Sequence, residues 1–167
     1  MDSDLMPRRR VPEKNDGLPR QYNGYLAGWS RPPDLPQIAR IEAMVFPEPL
    51  NLHTLVQLWL MPNTYYIVVR KGRQVAAYIG FQKFGPAAHT ISMAVHPDHR
   101  RRGLATLVQK TADRVAVNRG ARWFTGEVRV SNTAQLRFLE GLGWQQIGVC
   151  PQFFGNGEDA VVVWNWL

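Results

Sequence analysis

Stretches of helical apolar spacing and stretches rich in β-branched and aromatic residues follow one another along this chain, and the changes between them divide it into elements. Residues 22–29 are rich in aromatic and small apolar positions, predict a first strand, and end at Arg31-Pro32-Pro33. Leu35, Ile38, Ile41, Glu42 and Val45 then fall at helical spacing behind Asp34, which predicts an amphipathic helix capped by Asp34 with Pro36 in its first turn. Phe46-Pro47-Glu48-Pro49 stops it, and Leu55, Val56, Leu58 and Trp59 predict a second short helix over residues 52–60. The pattern changes at Tyr65, where β-branched and aromatic residues take over. Residues 65–70, the turn Lys71-Gly72-Arg73 and residues 74–84 predict a hairpin, and Gly85-Pro86 turns the chain into a third strand over 89–95.

Beyond this strand Leu104, Leu107, Val108, Thr111 and Val115 line one face of a helix, with Gln109, Lys110, Asp113 and Arg114 directed elsewhere and Gly120 as its stop. Residues 123–130 predict a strand, 134–142 a helix ended by Gly143, and 144–150 with 160–167 a final pair of strands. The order of strands and helices implies a single α+β, mixed α/β domain with one central sheet over residues 21–167. Residues 1–20 mix both charge signs with proline and lack apolar periodicity, so a poorly ordered tail is expected there.

Composition adds limits to this picture. At 167 residues, 45% hydrophobic and 20% charged, the chain suits one domain with an ample core. No apolar run approaches the roughly 18 residues of a membrane span, and residues 1–20 lack the apolar segment of a secretory signal. The single cysteine, Cys150, excludes an internal disulfide and points to a reducing, cytoplasmic setting. His96 and His99 have no cysteine or carboxylate partners at zinc-like spacing, so no metal is expected. The tryptophans read as core or sheet-face residues, and exposed members would serve as the interface of a homodimer.

The net charge of +7 raises nucleic acid as a partner, yet residues 96–122 alone hold seven basic against two acidic side chains. That concentration suits a compact polyphosphate better than a long phosphate backbone. Its centre is His96-Pro97-Asp98-His99-Arg100-Arg101-Arg102-Gly103-Leu104-Ala105, which reads as a strand end, a tight basic loop and a helix start. Arginines, a glycine that admits close backbone approach, and the unpaired amides of a helix N-terminus together favour a polyanion.

Arg100-Arg101-Arg102-Gly103-Leu104-Ala105, preceded by Met93-Ala94-Val95-His96-Pro97-Asp98, resembles the Arg/Gln-x-x-Gly-x-Gly/Ala signature of the GCN5-related N-acetyltransferase superfamily. The element order and Asn132, followed by a helix ending in Leu142-Gly143-Trp144, resemble its second motif. Glu127-Val128-Arg129-Val130-Ser131-Asn132, Phe153-Phe154 and Gly157-Glu158-Asp159-Ala160 are similar to the RimI branch, the ribosomal-protein N-terminal alanine acetyltransferases.

The resemblance implies a twisted, mostly antiparallel sheet flanked by helices. It implies acetyl-CoA as cosubstrate, with pyrophosphate on Arg100, Arg101, Arg102, Gly103, Leu104 and Ala105, pantetheine along Met93, Ala94 and Val95, and Asn132 facing the pantetheine. Glu127 matches the base. The implied activity is N-acetyl transfer by direct attack in a ternary complex, onto a protein N-terminus, a lysine or a small amine. The pattern breaks at the acid: the position of the RimI-type tyrosine is Leu139, beside Phe138, and Phe153-Phe154 replaces expected hydroxyls. Two readings explain this. Either solvent or another group such as Tyr65 or Tyr66 protonates the departing thiolate, or the substrate class has changed. A noncatalytic acyl-CoA sensor is an alternative, and a nucleic-acid-associated module a weaker one.

Overall fold

The computed structural model describes residues 16–167. Eight strands form one sheet in the order β1-β2-β3-β4-β5-β6-β8-β7. They are β1 (Arg20–Tyr22), β2 (Tyr25–Trp29), β3 (Thr64–Lys71), β4 (Gln74–Phe84), β5 (Ala87–Val95), β6 (Trp123–Arg129), β7 (Gln145–Cys150) and β8 (Ala160–Trp166). Only β5 and β6 run parallel; every other neighbouring pair is antiparallel. This is the expected α+β architecture.

Helices α1 (Leu35–Val45) and α2 (Leu52–Leu60) cover one face of the sheet, where Leu35, Ile38, Ile41 and Leu55 pack on Tyr66, Val68, Tyr78 and Ala94. Helices α3 (Leu104–Asn118) and α4 (Thr133–Gly141) cover the other, where Leu104, Val108, Ala112, Val115 and Leu139 pack on Ile67, Val69, Ile79, Phe81 and Phe124. The alternation of Tyr66 and Val68 with Ile67 and Val69 sends successive side chains of β3 into opposite layers. Both faces of the central strands are buried under these layers, which explains why β3 and β4 read as nearly continuous apolar runs. Among the described residues, no helix is long and apolar enough to cross a membrane.

Three local expectations are revised. The strand expected over residues 22–29 is a hairpin, because Asn23 and Gly24 both adopt positive φ, the conformation of a type I′ turn. Asp34 stands at the N-cap of α1 but its side chain makes no capping bond there; its carboxylate is buried against the Arg70 guanidinium and accepts from the Arg31 amide at 2.6 Å. Gln109, expected off the apolar stripe of α3, is nonetheless buried with it: it is 1% exposed and donates to Asp113 at 2.8 Å. Of the tail expected over residues 1–20, residues 1–15 lie outside the described residues. Asp16 is fully buried, and Arg119 of the segment after α3 grips its carboxylate at 2.7 and 3.0 Å.

Candidate functional site

The site arises where two strands stop pairing. β5 and β6 are joined through Ala87↔Trp123, Ala88↔Phe124 and His89↔Thr125, after which β5 follows β4 and β6 follows β8. Residues 90–95 and 126–129 therefore become opposite walls of a groove of about 1070 Å³. A bulge sharpens the divergence: Gly80 pairs with Ser92 and Phe81 with Thr90, so Ile91 has no partner on β4. From Thr90 onward the groove-side edge of β5 has no strand beside it among the described residues, which leaves its backbone groups available to an extended ligand.

At one end of the groove the chain turns from β5 into α3. Arg101 and Gly103 take positive φ (61° and 75°), and Gly103 is the N-cap of α3, where it has no side chain to satisfy the first-turn amides. The positive φ at Gly103 strains any larger residue, and a Cβ there would sit 2.7 Å from the Tyr22 hydroxyl and push that side chain aside. Arg100, Arg101, Gly103, Leu104, Ala105 and Thr106 line this end. Arg102 is exposed and does not line the groove.

Met93, Ala94, Val95, Glu127 and Asn132 also line the groove. Asn132 is the N-cap of α4, its side chain accepting from the Gln135 amide at 3.2 Å, and so it combines a capping role with a place in the wall. Glu127 is partly buried and lies 3.1 Å from Nε2 of His89, whose Nδ1 lies 2.9 Å from the Thr125 hydroxyl. His89 stands on the last residue pair before the strands part. Nothing in its sequence neighbourhood marked it, because the contact depends on the parallel register of two strands 36 residues apart.

The other end of the groove is formed by the loop between α1 and α2 and by the loop between β7 and β8. Arg129 ties them together: it donates to Glu48 at 3.0 Å, to Glu158 at 2.9 Å and to Asn156 at 3.0 Å, and its guanidinium lies 3.9 Å from the Phe154 ring centroid. Glu48 also accepts from the Gly155 amide at 3.2 Å. Bonds from Ser131 and then from Arg129 pull the Glu158 carboxyl down to about 2. Glu42, Glu48 and Glu127 outnumber Arg129 in the lining of this half of the groove, which is acidic on balance, in contrast to Arg100 and Arg101 at the α3 end.

Of the groups considered for the missing acid, Leu139 is 4% exposed and belongs to the core, and Phe138 lines the groove without a proton to give. Tyr65 stacks on Phe81 in the α3 layer, and Tyr66 is 2% exposed in the α1 layer, its hydroxyl pKa raised by burial and then by Glu42. Neither tyrosine lines the groove. His96 caps the short turn at Pro97–His99, and Nδ1 of His99 meets the Tyr25 hydroxyl at 3.0 Å.

Comparison with known proteins agrees with this geometry. The sequence is 31% identical over 132 residues to an uncharacterised N-acetyltransferase of Methanocaldococcus jannaschii, spanning 78% of this chain and 84% of that one. It is 28% identical over 133 residues to the putative [ribosomal protein bS18]-alanine N-acetyltransferase of Bacillus subtilis, spanning 78% and 88%. In fold it is similar to the ribosomal-protein-S18-alanine N-acetyltransferase of Escherichia coli, with a TM-score of 0.77 and 23% identity over 85% of this chain and 93% of that one. It is also similar to Arabidopsis thaliana NAA60 in complex with acetyl-CoA, at a TM-score of 0.78 and 12% identity over 86% and 98%. The sequence model of the acetyltransferase (GNAT) family matches residues 35–144, the stretch that builds both walls of the groove and the helix start between them, and the chain belongs to that family of acyltransferases.

Proposed function

We propose that this enzyme transfers an acetyl group from acetyl-CoA to a primary amine by direct attack in a ternary complex. The observation that carries the proposal is the opposite polarity of the two groove ends, basic backbone-rich turn at one and carboxylates at the other, joined by an unpaired strand edge. The donor half fits its ligand on two counts. The turn at Arg101 and Gly103 exposes uncapped helix amides, as a pyrophosphate requires, and β5 offers free backbone groups beside it, as a pantetheine arm requires.

Arg100, Arg101, Gly103, Leu104 and Ala105 would hold the pyrophosphate, Met93, Ala94 and Val95 the pantetheine, and Asn132 the wall facing it; Arg102 would add only long-range attraction. When bound there, acetyl-CoA supplies an activated thioester. A backbone amide of the Met93–Val95 segment would stabilise negative charge on an adjacent carbonyl oxygen. Glu127, oriented by His89, takes the proton that an ammonium must lose before its nitrogen becomes nucleophilic. No protein acid is needed to complete this scheme, since a thiol of pKa near 8.5 leaves readily as the thiolate. The acidic lining of the far half favours a cationic acceptor, which fits a protein N-terminus, a lysine or a small amine.

The test is release of free thiol from acetyl-CoA in the presence of a panel of N-terminal peptides, lysine peptides and small amines. Acetylated product formed in step with thiol supports the proposal. Tight CoA binding with no product from any amine refutes it.

A further inference from the structure

We infer that Ser92 accepts a hydrogen bond from the attacking amine, and that Glu42 and Tyr78 hold its hydroxyl in the orientation this requires. The inference rests on the acetyltransferase reading above and goes on to name the groups that receive the acceptor nitrogen.

Glu42 is the one charged residue in the apolar stripe of α1, between Ile38, Ile41 and Val45, and it is 1% exposed. An aliphatic residue there would fill the layer without the desolvation that a buried carboxylate incurs. Its oxygens are nevertheless well served. Oε1 accepts from the Tyr78 hydroxyl and from the Ser92 hydroxyl at 2.5 Å, and Oε2 accepts from the Leu50 amide at 3.0 Å. Burial, and then the Glu42 charge, push the Tyr78 hydroxyl pKa well above its ordinary value, so Tyr78 keeps its proton.

Proton counting assigns the rest. A hydroxyl has one hydrogen and two lone pairs, and both hydroxyls direct theirs at Glu42. The 2.9 Å contact between Tyr78 and Ser92 therefore has no hydrogen of its own to place. Ser92 is left as an acceptor. It is also the one partly exposed member of the three, since Tyr78 is fully buried and Glu42 nearly so, and it lines the groove. Its place in the strand matters as well. Ser92 directly follows the unpaired Ile91 and directly precedes Met93, the start of the proposed pantetheine segment, on the wall opposite Glu127. An ammonium has three N–H donors and so can serve Ser92 and Glu127 together.

The experiment compares wild type with Ser92→Ala, Ser92→Thr, Glu42→Gln and the double variant Ser92→Ala/Glu42→Gln. Separate KM values are measured for acetyl-CoA and for L-alaninamide or the best amine of the panel, and desulfo-CoA is titrated directly. Loss of one hydrogen bond to a charged donor is expected to raise the amine KM about tenfold in Ser92→Ala. The acetyl-CoA KM and the desulfo-CoA affinity should stay within about twofold of wild type. Ser92→Thr should restore the amine KM, and Glu42→Gln should raise it with no further rise in the double variant, since the two residues act as one unit. An unchanged amine KM in Ser92→Ala overturns the inference while turnover leaves the acetyltransferase reading intact. Equal rises in both KM values overturn it too, as the mark of a merely structural role. Wild-type protein that binds desulfo-CoA yet acetylates no amine refutes the wider reading and this one with it. Where Glu42→Gln does not fold, the two Ser92 variants decide alone.

Discussion

Replacing Arg129 by methionine keeps the aliphatic stem and removes the charge that joins the two loops at the acceptor end. The side chain is 10% exposed, and it faces Glu158 at 18% and Glu48 at 41% exposure. Breaking a fully buried pair costs about 3–5 kcal/mol, and breaking an exposed one about 0–1 kcal/mol. Arg129 lies between these limits, with one shielded partner and one open partner. Its contact with the Phe154 ring contributes a further part, on the order of 0.5–1 kcal/mol. The expected loss for Arg129→Met is therefore about 2–3 kcal/mol in urea denaturation at neutral pH.

The functional consequence follows from what the bond connects. Glu48 leads into α2 and Glu158 into β8, and nothing but Arg129 bonds to both carboxylates among the contacts described. With it gone, the acceptor KM should rise while the acetyl-CoA KM stays close to wild type, because the α3 turn makes none of these contacts. A pH series checks the electrostatic part. Glu158 has a depressed pKa in the folded protein, so its contribution is present above about pH 4.5 and is lost as pH falls toward 2. Arg129→Met should shallow that slope without abolishing it, since Ser131 supplies the largest share of the depression. A loss below about 0.5 kcal/mol, or equal shifts in the two KM values, would refute the reasoning.

Three further outcomes are expected. Glu127→Gln should lower kcat about a hundredfold or more while leaving desulfo-CoA affinity nearly unchanged, and unaltered turnover across the pH range would remove Glu127 from the role of base. Gly103→Val combines a β-branched residue at φ 75° with a Cβ 2.7 Å from the Tyr22 hydroxyl, so direct titration should show CoA affinity reduced by at least tenfold; equal affinity would contradict the phosphate-turn assignment. Asp113 has its carboxyl raised from 3.8 to about 6 by burial, so its ionisation opposes folding as pH rises through that window, and Asp113→Asn should stabilise the protein at pH 8 by about 1–3 kcal/mol with the gain vanishing below pH 4. A gain independent of pH would refute that account.

What was legible in the sequence was local. Period and turn residues located α1, α2 and the start of α3 nearly to the residue, because one apolar face of each helix meets one layer, and β4 stood out as an apolar run between two turns. The turn at Arg101 and Gly103, proposed above to hold phosphate, was legible as a tight basic turn into a helix, since Arg101, Gly103 and the first helix amides are neighbours in sequence. The acceptor half was not. His89 meets Glu127 only through a parallel pairing, Glu48 meets Arg129 across 81 residues, and Ser92 meets Glu42 across 50. Glu42 did leave a trace, as a carboxylate on an apolar stripe, but the stripe alone cannot say what the carboxylate faces. Asp34 shows the reverse error: a good capping residue by type, it was drawn away by a buried arginine from β3.

The basic charge that first suggested nucleic acid takes on a different meaning once its members are placed. Of the seven cations in residues 96–122, Arg119 is spent internally, held by Asp16 and lying 5.5 and 5.2 Å from the Trp29 and Tyr65 rings. Arg100 and Arg101 border the groove, whereas Arg102 and Arg122 stand exposed outside its lining. A duplex backbone would need these charges in one continuous track with side chains that read bases. The groove instead concentrates two of them at a turn whose helix amides point the same way, and at the far end it sets three carboxylates against one guanidinium, Arg129, already bonded to Glu48 and Glu158, so the balance there disfavours a polyanion. On the proposed reading that division of charge orients both substrates before any bond changes: the phosphates can enter only at α3, and an ammonium is drawn only toward Glu42, Glu48 and Glu127.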